Sequence, residues 1–162
     1  MNILYFHRLD SSLGSEKRAI LEKYGKVFSP AIDYRVEFNS IEMLVEQFKN
    51  QKIDVVIGSN MGGFVGYYVA DAYQKPALLF NPSLTKRSVR QKIPIYKAPP
   101  LGFKQLVLGI RSDRIDPRGT LEFLSKNLQV YTNYRIHIRQ NLGHEIPIDV
   151  FKEEVVEFFK FL

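Results

Sequence analysis

The chain of 162 residues contains no cysteine, which excludes a disulfide framework and any thiolate nucleophile or metal ligand. It also lacks long apolar runs. No stretch approaches the ~18 residues that a membrane span needs, and the opening MNILYFHRLD has neither the basic start nor the long apolar core of a signal peptide. A soluble, cytoplasmic protein with no membrane partner is the expectation. A third absence is local: no Asp or Glu occurs between Asp71 and Asp113, while Lys75, Lys86, Arg87, Arg90, Lys92, Lys97, Lys104 and Arg111 fall there. The rest of the chain is slightly acidic, so the formal charge of +6 comes from this interval. Pro82, Pro94, Pro99 and Pro100 interrupt it, which is loop composition, not a basic recognition helix. Nucleic acid is therefore not expected as a partner. The 72–112 segment reads as a solvated basic surface or as an attractor of an anionic ligand.

What is present is enough for a core. With 45% hydrophobic and 13% aromatic residues, a chain of this length buries roughly 70% of its unfolded surface. Short apolar runs at Ile3–Phe6, Val27–Phe28, Ile53–Ile57, Pro76–Phe80, Gln105–Leu108 and Tyr134–Ile138 alternate with helix-period stretches, the pattern of a parallel sheet with crossover helices. Asn39 followed by Glu42 predicts a capping box, with Ile41, Leu44, Val45 and Phe48 on one face. A second helix opens after Gly62 and runs to about Tyr73. Asp116 and Pro117 predict the start of a third, carrying Leu121, Leu124 and Leu128. The last, Ile148 to Leu162, places Phe151, Val155, Phe159 and Leu162 on its buried stripe. The expectation is an α/β fold filling residues 1–162 as a single domain.

The informative stretch is Ile53-Asp-Val-Val-Ile-Gly-Ser-Asn-Met-Gly-Gly63: a buried strand, a glycine-flanked turn, then a helix. This is the shape of a nucleophile elbow, whose tip is held in strained backbone geometry and whose positions two before and two after must be small. Gly58 and Gly62 meet that need and centre the turn on Asn60. Ser59 as the tip would be flanked by Ile57 and Met61, which are too large. Asn accepts positive φ better than most residues, yet its amide is not an activatable nucleophile.

In this setting the chain resembles the small single-domain esterases of the α/β-hydrolase superfamily, the YqiA-like group. Four pieces are similar in order: Ile3-Leu-Tyr-Phe-His-Arg-Leu-Asp-Ser-Ser12 to the first strand and oxyanion loop, Gly58-Ser-Asn-Met-Gly-Gly63 to the elbow, Leu108-Gly-Ile-Arg-Ser-Asp-Arg-Ile-Asp-Pro117 to the acid loop, and Gly143-His144 to the histidine loop. The resemblance implies an α/β-hydrolase fold: a mostly parallel sheet of about six strands, helices on both faces, and at most a short lid from residues 83–103. It departs on the chemistry. Arg8 stands where the group has glycine, Asn60 where it has serine, and Ser112 at the usual acid position, with Asp113 one residue later.

By this resemblance the triad positions are Asn60, Asp113 and His144, and the oxyanion donors are the backbone N–H groups of Leu9 and Met61, beside Arg8. Asp116 reads more simply as a helix cap than as the acid, His7 as a residue shaping the loop after the first strand, and His137 as an alternating strand position that carries no partner signal. Ser59 is a structural hydroxyl or a displaced nucleophile. The implied function is that of a carboxylic ester hydrolase impaired or silenced at Asn60. The alternative is a non-catalytic protein binding an anion through the oxyanion pocket or the basic segment. A small ester or carboxylate is the expected ligand, with no cofactor and no metal. The elbow reading further requires positive φ at Asn60, its side chain ~3 to 4 Å from His144, and Asp113 at the opposite ring nitrogen.

Overall fold

A computed structural model describes residues 1–111 and 116–162. Six strands form one parallel sheet: β1 (Asn2–Phe6), β2 (Lys26–Phe28), β3 (Val55–Ser59), β4 (Ala77–Phe80), β5 (Lys104–Gly109) and β6 (Tyr134–Arg139), in spatial order β2-β1-β3-β4-β5-β6. Among the described residues the helices are α1 (Ser15–Glu22), α2 (Ser40–Phe48), α3 (Met61–Tyr73) and α4 (Pro117–Lys126) between strands, and α5 (Ile148–Phe161) after the last strand. The central strands β3, β4 and β5 are buried at every residue. Apart from Ser59, Lys104 and Gln105 they consist of apolar residues and glycine, because helices cover both sheet faces. Leu4, Phe6, Val56, Leu79 and Leu106 pack with residues of α2, α3 and α4. The alternate residues Ile3, Tyr5, Val55, Ile57 and Val107 pack with α1 and α5. No helix among the described residues is long and apolar enough to cross a membrane.

Several expected boundaries move for identifiable reasons. The strand expected at Ile53–Ile57 runs Val55–Ser59, since Asp54 is occupied with Asn2 at the sheet entrance, donating to its carbonyl and accepting from its amide. Asn39 makes no side-chain cap bond. Glu42, the other half of the expected capping box, instead accepts from Lys92 at 3.2 Å. Asp116 does cap α4, accepting from the Arg118 amide at 3.0 Å. Leu128 lies beyond α4 and is exposed. On α5 the buried apolar residues are Phe151, Val155 and Phe158, while Leu162 just beyond it is half exposed and Phe159 stacks on Tyr24. Helix α1 follows the serine-rich loop and has no counterpart among the expected helices.

The basic interval is also less superficial than its composition implies. Lys104 is 1% exposed and paired with Asp71 of α3, its ammonium 4.9 Å from the Tyr67 ring centroid. Burial pushes the Asp71 carboxyl up and the adjacent Lys104 charge opposes it. Residues 81–103 contain no helix or strand. Gln91 pins this strap, accepting from Ser40 and donating to the Tyr34 carbonyl.

Candidate functional site

All six strands run the same way, so their C-terminal ends and the loops that follow share one edge of the sheet. There β3 turns into α3 through Asn60, whose φ of 52° and ψ of −110° are a costly conformation for a residue with a side chain. The turn is locked by its backbone: the Asn60 amide donates to Phe80 at 2.8 Å, and its carbonyl accepts from Phe64 and Ser83. A Cβ on Gly58 would sit 2.3 Å from the Gly62 carbonyl oxygen, and one on Gly62 would sit 2.2 Å from that of Phe6. Only glycine lets the start of α3 approach the end of β1 this closely.

The Asn60 side chain is 3% exposed for the residue as a whole and meets His144. Its Nδ2 donates to the His144 carbonyl at 3.2 Å and lies 3.3 Å from each ring nitrogen, equidistant from the two. A carbonyl can only accept, which fixes the NH2 edge of the amide toward His144 and leaves Oδ1 on the other side. That oxygen has no protein partner among the described residues. Asp113 and Ser112 lie outside the described residues.

Asn81 holds the histidine loop in place and is not evident in the sequence. It is 1% exposed, with φ 42°. Its Nδ2 donates to the Gly143 carbonyl at 2.8 Å, and its Oδ1 accepts from the Gly109 amide at 2.7 Å. One side chain thus ties the ends of β4 and β5 to the residue before His144. The available signal was an Asn-Pro pair directly after a strand, which reads only as a turn. His7 plays the matching part in the first loop. The Ile32 amide donates to its Nε2, so Nδ1 carries the proton and donates to the Arg8 carbonyl.

Arg8 pairs with Glu145 at 2.8 Å, and both residues, with Asn60 and His144, line two cavities. The smaller, about 510 Å³, is walled by Tyr5, Ser11, Ser12, Ser15, Lys17 and Ser59. The larger, about 1020 Å³, adds Leu9, Met61, Arg35, Thr85, Lys86 and Arg87. Met61 opens α3, where the first amides lack partners within the helix. Ser59 is engaged with the Tyr5 hydroxyl at 3.2 Å. Arg8 holds the Glu145 carboxyl below the usual range, and Arg35 does the same to Asp10. Burial lowers Lys17, with the Arg8 charge adding to it. Burial raises Tyr5, opposed by its bond to Ser59.

A second polar cluster lies away from this edge and gives His137 partners for which the sequence carried no signal. Glu154 of α5 is fully buried; its Oε1 accepts from Arg139 at 2.7 Å, while Oε2 meets His137 Nδ1 at 2.7 Å and accepts from Gln105 at 2.9 Å. With Glu157, His137 and Glu154 bring potential metal-ligand atoms within 4.8 Å of one another, a grouping the sequence spacing did not suggest. Both Glu154 oxygens are already committed, and a cation there would compete with the Arg139 guanidinium.

The model of the uncharacterised protein family UPF0227 matches residues 2–95, which include the first loop and the Asn60 turn. No curated protein matches the chain at a significant level. Among solved structures, a Xanthomonas campestris protein assigned to the α/β hydrolase superfamily superimposes with a TM-score of 0.73 at 12% identity, covering 99% of each chain. Arabidopsis thaliana SOBER1 gives 0.68 at 12% identity, over 99% of this chain and 97% of that one. A Bacillus cereus carboxylesterase gives 0.63 at 17% identity, over 99% and 88%. At such identities the likeness concerns the fold.

Proposed function

The chain belongs to the UPF0227 family and has the α/β-hydrolase fold, and on that premise we propose that Asn60 holds its nucleophile position, making it an esterase-type protein that binds acyl ligands without turning them over. The observation that carries this reading is the strained Asn60 turn with its carboxamide against His144. An amide nitrogen has its lone pair delocalised into the carbonyl, and no adjacent base makes it a useful nucleophile. Loss of a serine nucleophile costs ~10⁶ in turnover. The binding half of the machinery does not depend on that serine. The Leu9 and Met61 amides border the larger cavity, and the α3 N-terminus favours a carbonyl or carboxylate oxygen there. Asp113 is the acid in this proposal, and residues 1–162 act as one domain.

The test is Asn60→Ser assayed with p-nitrophenyl butyrate. Wild type should stay at background, the variant should rise at least about 100-fold above it, and adding His144→Ala should return it to background. A folded Asn60→Ser protein with no gain refutes the reading, as does rapid turnover by wild type. A partner for the basic surface is less well supported. Lys104 is internal, Lys92 pairs with Glu42, and Arg87 packs 4.1 Å over the Phe64 ring centroid.

A further inference from the structure

The smaller cavity carries a charge pattern that a plain hydrocarbon acyl chain does not use. Its wall holds two cations, Arg8 and Lys17, and two acids, Glu16 and Glu145. Glu145 is paired with Arg8 at 2.8 Å, and Glu16 is exposed. Lys17 differs from Arg8. It is partly buried, has no carboxylate partner among the described residues, and gives one ammonium hydrogen to the Ile146 carbonyl at 2.6 Å, which leaves two to donate. Burial holds its pKa down, and the Arg8 charge adds to that more than Glu145 offsets it, so the surroundings of the ammonium are themselves positive. Serine hydroxyls stand on the same wall. Ser11 turns its own toward the Ser12 carbonyl at 3.4 Å, which leaves those of Ser12 and Ser15 to a ligand. An unpaired cation beside a second cation and two hydroxyl donors makes a wall that lacks one negative charge.

Resting on the acyl-binding reading above, we propose that the site takes a short acyl compound ending in a carboxylate, such as the half-ester of a dicarboxylic acid. The ester carbonyl accepts from the Leu9 and Met61 amides near the junction of the two cavities, which share Asn60 and His144. A few methylenes pass Ile146, and the carboxylate lies in the smaller cavity, accepting from Lys17 and from the Ser12 and Ser15 hydroxyls. The alkoxy end points into the larger cavity. The wall sets the substrate class: a long hydrocarbon chain would lay apolar surface against serine, lysine, arginine and glutamate, whereas a carboxylate supplies the missing acceptor.

The test compares monomethyl glutarate with methyl 5-oxohexanoate, in which a neutral acetyl group of nearly equal shape replaces the carboxylate. Each is titrated by calorimetry into wild type at low salt, where charge is least screened. The half-ester should bind about tenfold more tightly, because hydrogen bonds to a charged group are the stronger ones. Lys17→Met, which keeps an apolar stem, should bring the two ligands within about twofold of each other, with thermal melting confirming the fold. The double variant Ser12→Ala with Ser15→Ala changes only exposed positions and should reduce the preference to about threefold. Equal or weaker binding of the half-ester by wild type overturns the carboxylate assignment and leaves the acyl-binding reading intact. A full preference that survives in either folded variant overturns the placement beside Lys17. If neither ester binds at millimolar concentration, this proposal and the acyl-binding reading fail together.

Discussion

Two clusters of buried polar side chains near the sheet differ in how their central group is held. Around Glu154 a carboxylate with no exposure takes donors from three residues on two strands, one of them a guanidinium. Around Asn60 a side chain almost equally buried sits in strained backbone geometry and donates to the His144 carbonyl. Each cluster also keeps one inaccessible acceptor, Gln105 Oε1 or Asn60 Oδ1, without a partner among the described residues. A buried carboxylate matched by three donors stabilises the fold, whereas strained backbone beside an unmatched buried acceptor costs stability.

The largest expected effect tests the Glu154 cluster. Glu154→Ala leaves Arg139 and the donors of His137 and Gln105 without their acceptor, and urea denaturation should show a loss of about 3 to 5 kcal/mol. A loss below about 1 kcal/mol would mean that the cluster is not what ties α5 to β5 and β6. Next comes Asn81→Ala, which strands the Gly109 amide and the Gly143 carbonyl. It should cost about 2 kcal/mol. In an active Asn60→Ser background it should lower kcat more than KM, because the change displaces the His144 loop.

Asn60→Gly sharpens the comparison from the Asn60 side. Relief of backbone strain and the extra freedom of glycine in the unfolded chain oppose each other, so stability should change by no more than about 1 kcal/mol. A loss near that of Glu154→Ala would make Asn60 a structural residue and erase the contrast. The smallest effect belongs to the Arg8–Glu145 pair between the cavities. Arg8 lowers the Glu145 pKa in the folded state, so the pair's contribution is present at neutral pH. It is lost as pH falls through the ordinary Glu value of ~4.3 toward the lowered one. Glu145→Gln should flatten that part of the melting temperature against pH profile slightly, and high salt should remove the difference.

Local features of the site were readable because local sterics create them. Gly58 and Gly62 bracket Asn60 at the spacing that close approach demands, and that spacing exists in the sequence whether or not the rest of the chain is considered. The cap at Asp116 and the apolar strand runs were legible for the same reason. Asn81 was not, since its importance lies in joining Gly109 to Gly143, 34 residues apart in the chain. Helix α1 escaped because its sequence SEKRAILE buries only Leu21 and so carries a weak apolar pattern.

By itself, then, the sequence determined the alternation of strands and helices, the asparagine at the glycine-bracketed turn and the excess of positive charge after Asp71. Those depend on residue type and short spacing, which act through neighbouring atoms along the chain. Tertiary structure alone decided that Lys104 leaves the basic surface for a buried pair with Asp71, that His137 joins Glu154, and that Asn60 meets His144 with its Oδ1 turned away. Each of those outcomes depends on which distant group supplies a countercharge, donor or acceptor once water is excluded, and parallel strand order, not sequence separation, sets that proximity.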